Sequence, residues 1–194
     1  MPAGFLAIWS DISPENETDY LHWFSREHAI ERLSVPGFLS VRMFRALDIP
    51  ERRYFILYEL ENQAVVSSEA YLQRLNQPTP WSQRIMKQLG NFARGGGTVA
   101  AVKGLGAGGF VSALWLDAET TALGVELAEA GAAHDRIARV QVLATDHQRT
   151  SVKTNEKALR DRDRSFDGLL AVEGLDVAAV RELVPVGWTG RQRI

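Results

Sequence analysis

Gly4-Phe-Leu-Ala-Ile-Trp-Ser-Asp11 returns, one residue longer, as Gly109-Phe-Val-Ser-Ala-Leu-Trp-Leu-Asp117. Each is a short apolar and aromatic run bounded by Gly and Asp, the pattern of a buried strand. A strand heading two similar stretches marks an internal repeat. After the first copy the chain reads as a helix ending near Ser34, then two alternating runs, Phe38 to Leu47 and Tyr54 to Leu60, that form a hairpin around Asp48 to Arg53. Helices follow over Ala64 to Asn76 and Trp81 to Gln88, and then a strand over Asn91 to Lys103, where Gly95 to Gly97 suggest a bulge or bend. After the second copy come a helix from Ala118 to about Gly131 and a strand from Arg136 to Ala144. A polar segment runs through Asp163, followed by a strand over Phe166 to Glu173, a helix over Asp176 to Leu183 and a last strand near Val184 to Ile194.

Both stretches have the order β-α-β-β-α-β, a split βαβ unit that folds as an antiparallel sheet with both helices on one face. The fold class predicted is therefore α+β: two ferredoxin-like repeats, residues 1–103 and 109–194, joined by a Gly-rich linker at 104–108. Each bare sheet face needs a cover, and the other repeat supplies it, closing a barrel with a cavity between the sheets. In the first strand Phe5, Ala7 and Trp9 point one way and Leu6 and Ile8 the other, so both faces are covered. In the second strand Phe38, Ser40, Arg42 and Phe44 share a face, and an Arg and a Ser among Phe rings describe a pocket wall.

The chain has 194 residues, 45% hydrophobic and 24% charged, and can bury its own core without staples. Its 22 basic and 24 acidic residues leave a net charge of −2, which argues against nucleic acid as a partner. There is no cysteine, so disulfides, thiolate nucleophiles and Cys-ligated metals are excluded. The N-terminal apolar run is broken by Ser10 and Asp11, too soon for a signal or a membrane segment, and a cytoplasmic location is the default expectation. The run from Arg160 to Arg164 alternates in sign and reads as solvated surface. Gly104-Leu-Gly-Ala-Gly-Gly109 has the letters of a dinucleotide-binding loop, but a strand is expected after it where that loop requires a helix.

The richest chemistry lies in Asp19 to Phe38. On a helical wheel Tyr20, Leu21, Phe24, His28 and Val35 fall within one arc, and Trp23, Ile30 and Leu33 form a second apolar flank. Pro36 ends the helix and Gly37 lets the chain reverse. His28 thus points inward. Its ordinary pKa lies near neutrality, which suits it to act as general base or acid; the alternative is a core histidine bonded to a backbone carbonyl. His22 and His28, six residues apart, cannot clamp one metal, so no metal site is assigned.

The tandem plan, Glu27-His28 near a helix end, Ser34-Val-Pro-Gly-Phe38 and the closing Arg191-Gln-Arg-Ile194 together resemble the dimeric α/β-barrel superfamily, closest to its EthD-like and muconolactone-isomerase-like small proteins in a fused version. The resemblance implies a small aromatic or lactone-like ligand in the apolar space between sheet and helices, and a monomeric pseudo-dimer or a homodimer. On this reading the chain is a pocket protein, expected to need no cofactor, that acts as an isomerase, cyclase or lyase by proton transfer. His28 moves the proton, Tyr20 or Arg42 steadies oxyanion charge, and Trp9, Phe24, Phe44 and Tyr58 wall the substrate. The alternative is a non-catalytic binding or accessory protein; a haem-binding or monooxygenase member stands third. The second repeat has neither a Glu-His pair at its helix end nor a Pro-Gly exit, so no equivalent site is expected there.

Overall fold

The structure is a computed structural model and describes residues 3–160 and 162–193. Met1, Pro2, Asp161 in the charged run and Ile194 at the end of the last expected strand lie outside the described residues. The strands are β1 (Gly4–Asp11), β2 (Phe38–Ala46), β3 (Tyr54–Leu60), β4 (Gly90–Lys103), β5 (Phe110–Leu116), β6 (Ile137–Thr145), β7 (Gly168–Gly174) and β8 (Trp188–Gln192). They form one closed antiparallel barrel in the order β1-β3-β2-β8-β5-β7-β6-β4. The order 4-1-3-2 of the first half recurs as 8-5-7-6 in the second. β2 pairs with β8 and β4 with β6 to close the ring. The helices α1 (Glu17–Trp23), α2 (Ala29–Leu33), α3 (Glu69–Asn76) and α4 (Pro80–Met86) belong to the first half. The second half carries α5 (Ala118–Ala122), α6 (Gly124–Ala132), α7 (His147–Thr150) and α8 (Val177–Leu183).

Strand alternation assigns the two faces of β1 as its sequence pattern requires. Phe5, Ala7 and Trp9 enter the barrel with Phe44, Phe55, Leu57, Val111, Leu143 and Phe166, while Leu6 packs with the helices. The barrel interior is a packed aromatic core. Trp9 stacks on Phe55 at 4.3 Å and meets Trp115 and Phe166 edge-on at 5.6 and 5.4 Å. Such pairs add roughly 0.5–1.5 kcal/mol each beyond their burial. The cavity expected between the sheets is therefore filled.

Charge occupies one end of the same space. Arg42 forks onto Glu173, which also takes bonds from Arg139 and from the Gly108 amide at 3.1 Å; Arg139 bonds Glu59 at 2.7 Å, and Glu59 accepts from Ser40. β2 and β3 lie across the ring from β6 and β7, so these ion pairs tie the halves through the lumen. Gly108, at the end of the Gly-rich linker, is consequently seated on the barrel end: a Cβ there would come within 2.5 Å of the Gly174 amide nitrogen. A strand follows it, so no helix N-terminus faces a phosphate there.

Two local expectations also change. A bulge between Phe38 and Ser40 shifts the β2 register, so Phe38 joins Met43 on the helix side while Ser40, Arg42 and Phe44 face the barrel. Gly95 to Gly97 pair regularly with Ala7 to Phe5, without a bulge. Other chain segments crowd them instead: a Cβ at Gly95 would lie 2.4 Å from Phe166 Cζ, and one at Gly97 2.1 Å from the Ala144 carbonyl oxygen.

The Val-Pro-Gly exit behaves as its chemistry dictates. Gly37 has φ +92°, and its carbonyl accepts the Glu61 amide at 2.9 Å. Gly37→Ala places a side chain in the left-handed region, with its Cβ 2.5 Å from Val65 Cγ2. The expected loss is about 1–3 kcal/mol, read as a lower urea midpoint at unchanged slope; an unchanged midpoint contradicts it.

Candidate functional site

The chain from Glu17 to Leu33 is one continuous helix whose middle turn, Phe24–His28, is π-helical. The extra residue in that turn rotates everything after it by roughly one residue's 100°. Ile30 and Leu33, expected on an apolar flank, are thereby turned to solvent at 62% and 42% exposure, and Arg32 is turned inward at 2%. Ahead of this helix the Ser13 and Asn16 side chains bond to each other, and neither caps a helix amide.

His28 lies beneath this turn, 3% exposed, its ring 4.2 Å from that of Trp23 and 6.0 Å from that of Phe24. Its Nδ1 has no hydrogen-bond partner among the described residues. Burial, and after it the guanidiniums of Arg32 and Arg160, hold the imidazole well below its usual range. It is neutral at pH 7. Tyr58, on the outer face of β3, is buried and its hydroxyl also lacks a partner among the described residues; burial raises its pKa far above the phenol range, so it keeps its proton. Both residues line one small cavity of about 20 Å³, room for a single water-sized group. Tyr20, Trp23, Tyr71, Arg94, Glu156 and Arg160 complete its walls with apolar side chains of β1, β3 and β4. Tyr20 bonds Ser10 at 3.2 Å.

The site residues expected from sequence thus divide between two layers. His28, Tyr20 and Tyr58 meet at the cavity, with Phe24 packed alongside. Trp9, Phe44 and Arg42 project from the opposite face of the sheet into the barrel, so they share no pocket with His28. Arg42 is committed to Glu173. Strand alternation is the reason: side chains of opposite parity cannot reach one side of a sheet.

Sequence reasoning missed the far wall. The segment between β6 and β7, read as polar connection, crosses to the first half. There Asn155 bonds Asn76, Glu156 meets Arg32 at 2.5 Å, and Arg160 stacks over Phe92 at 3.9 Å while pairing with Asp163. The expectation that Arg160 to Arg164 is simply a solvated run fails at Arg160, whose side chain is 3% exposed. Its one legible signal was a cluster of arginines beside aromatic strands.

No family model and no curated protein matches this sequence. Solved structures do match in shape over the whole chain. An anthrone oxidase-like protein superposes with a TM-score of 0.57 at 8% identity, over 100% of this chain and 92% of its own. The fold is a single-chain dimeric α/β barrel. A proposed monooxygenase from Fusobacterium nucleatum (TM-score 0.55, 9% identity, 99% of this chain and 91% of its own) and a variant of chlorite dismutase from Candidatus Nitrospira defluvii (0.55, 11%, 100% and 92%) share it. Identities this low carry the barrel alone and no activity with it. A haem does not fit the His28 cavity, which has room for a water-sized group and counts the Arg32–Glu156 pair in its wall. Among the described residues no helix is long and apolar enough to cross a membrane.

Proposed function

We propose that the chain binds a small aromatic or lactone-like metabolite whose body lies in the wider groove that shares Arg94 and Arg160 with the His28 cavity, and that one water-sized reacting group reaches in beside the π-helical turn, where His28, as the base, moves a proton on it. One observation carries this reading: a buried, neutral imidazole whose Nδ1 is free among the described residues shares a small cavity with a phenol whose hydroxyl is also unpartnered. Buried polar atoms are ordinarily satisfied, and two orphans at one cavity suit a reacting group placed between them. Nδ1 takes a proton from a carbon or oxygen acid, the Tyr58 hydroxyl donates to the oxyanion that forms, and the imidazolium returns the proton to a neighbouring carbon. That sequence is an isomerisation balanced in atoms and electrons. The nearby Arg32 and Arg160 cations keep the imidazolium short-lived. The base and the phenol both come from the first of the two proposed repeats, 1–103 and 109–194; α5 and α6 of the second carry no histidine. The non-catalytic alternative uses the same cavity.

Deuterium exchange tests it. Anthrone and an unsaturated butenolide, both with acidic C–H groups, are incubated anaerobically in D2O with the protein and followed by NMR. At least one is expected to exchange about 100-fold faster with wild type than with His28→Ala. Equal exchange by both proteins removes the catalytic reading and leaves a binding protein.

A further inference from the structure

Arg94 and Arg160 wall the His28 cavity, and both also line a second, larger space. It is a groove of about 660 Å³ between β4 and the segment leading from α7 to β7, a volume in the range of small-molecule sites. Its charged lining is one-sided: Arg94, Lys153, Lys157, Arg160 and Arg164 against Asp163 among the described residues. Asp163 is already taken by Arg160 at 2.7 Å, and Glu156, the next acid, by Arg32.

Arg94 decides what the groove can hold. It is 7% exposed, and among the described residues its guanidinium makes one hydrogen bond, to the neutral Tyr71 hydroxyl at 3.1 Å. A buried cation without a countercharge is costly, and the ring of Tyr71, 5.8 Å away, offsets that only in part. Lys157 repeats the pattern. Its ammonium donates to the Thr150 and Val152 carbonyls, and it has no carboxylate at ion-pair distance among the described residues. Burial, and next the charge of Arg94, push it down to about 8. Two cations that repel each other across a concave surface, with no acid between them among the described residues, form a receptor for an anion.

We infer that this groove binds the oxyanion head, a carboxylate or a phosphate, of a small organic anion, held by Arg94 and Lys157. The inference rests on the proposed function for the ligand's other end, which reaches past Arg94 toward His28. The substrate class narrows accordingly to aromatic or lactone-like acids and their phosphate esters. Planar recognition by a guanidinium fork suits either head group.

Calorimetric titration of the full chain at low salt with benzoate, phenyl phosphate and neutral benzamide tests it. Benzoate or phenyl phosphate is expected to bind, and whichever does identifies the head group; benzamide is not. Arg94→Gln and Lys157→Met should each weaken that binding roughly tenfold or more. Because Arg94 is buried, labelling of wild-type protein serves as a second measurement: the bound anion should protect Lys157, but not exposed Lys103, from acetic anhydride at pH 8, read by peptide mass spectrometry. Anions that bind no better than benzamide, or Lys157 left unprotected, overturn the inference. Anion binding without deuterium exchange upholds the groove and removes the base assigned to His28.

Discussion

Glu173→Gln is expected to cost about 3–5 kcal/mol of folding stability, the scale of breaking a buried ion pair by removing one partner. The carboxylate is fully buried and accepts from Arg42, from Arg139 at 2.7 and 3.0 Å and from the Gly108 amide. Burial pushes it toward the neutral acid, but the bonds and charges of Arg42 and Arg139 prevail and hold it below the usual carboxylate range. Glutamine keeps the shape and loses the charge. Arg139 retains its bond to Glu59, whereas Arg42, its side chain 12% exposed, loses its bonded carboxylate and keeps only the more distant charge of Glu59 and the ring of Phe44. Urea titration at pH 7 reads the loss, and a change under about 1 kcal/mol contradicts it. Arg42→Met combined with Glu173→Leu should recover much of it, because apolar groups filling the same space leave no orphaned Arg42 charge.

The second large effect is a pH dependence. His28 stays neutral in the folded protein and accepts a proton once unfolded, so below about pH 6.5 the unfolded state binds more protons. Its depressed folded pKa therefore gives stability that is complete above pH 6.5 and is lost as the pH falls toward the folded value, at up to about 1.4 kcal/mol per pH unit. His28→Phe removes the titrating group and the unpartnered Nδ1 while keeping a ring against Trp23, with the small cavity beside it to take the extra volume. The variant is expected to match or exceed wild type at pH 7 and to gain on it steadily from pH 6.5 to 5. Denaturant midpoints at several pH values measure the difference. Parallel curves would place a protonated His28 inside the fold and remove its role as a neutral base.

The same residues show how far sequence reading reaches. The position of His28 beneath a helix, the Val-Pro-Gly exit and the two faces of β1 follow from periodicity and from the backbone chemistry of Pro and Gly. The wheel failed only after Phe24, where the π-helical turn displaced Ile30, Arg32 and Leu33. The bulge after Phe38 similarly broke the parity of β2. Each adds one residue to a repeat, and composition does not announce it.

By itself, then, the sequence determined the α+β class, the doubled β-α-β-β-α-β order and the inward histidine, because these rest on interactions between residues close along the chain. Tertiary structure alone decided that aromatic rings and the Glu173 cluster fill the barrel, that Arg42 belongs to that cluster, and that Glu156, Lys157 and Arg160 of the second half form the outer wall beside His28. Glu156 stands 124 residues from Arg32, and Glu173 131 from Arg42. Partners at such separations are chosen by closure of the whole barrel, and no local pattern records that choice.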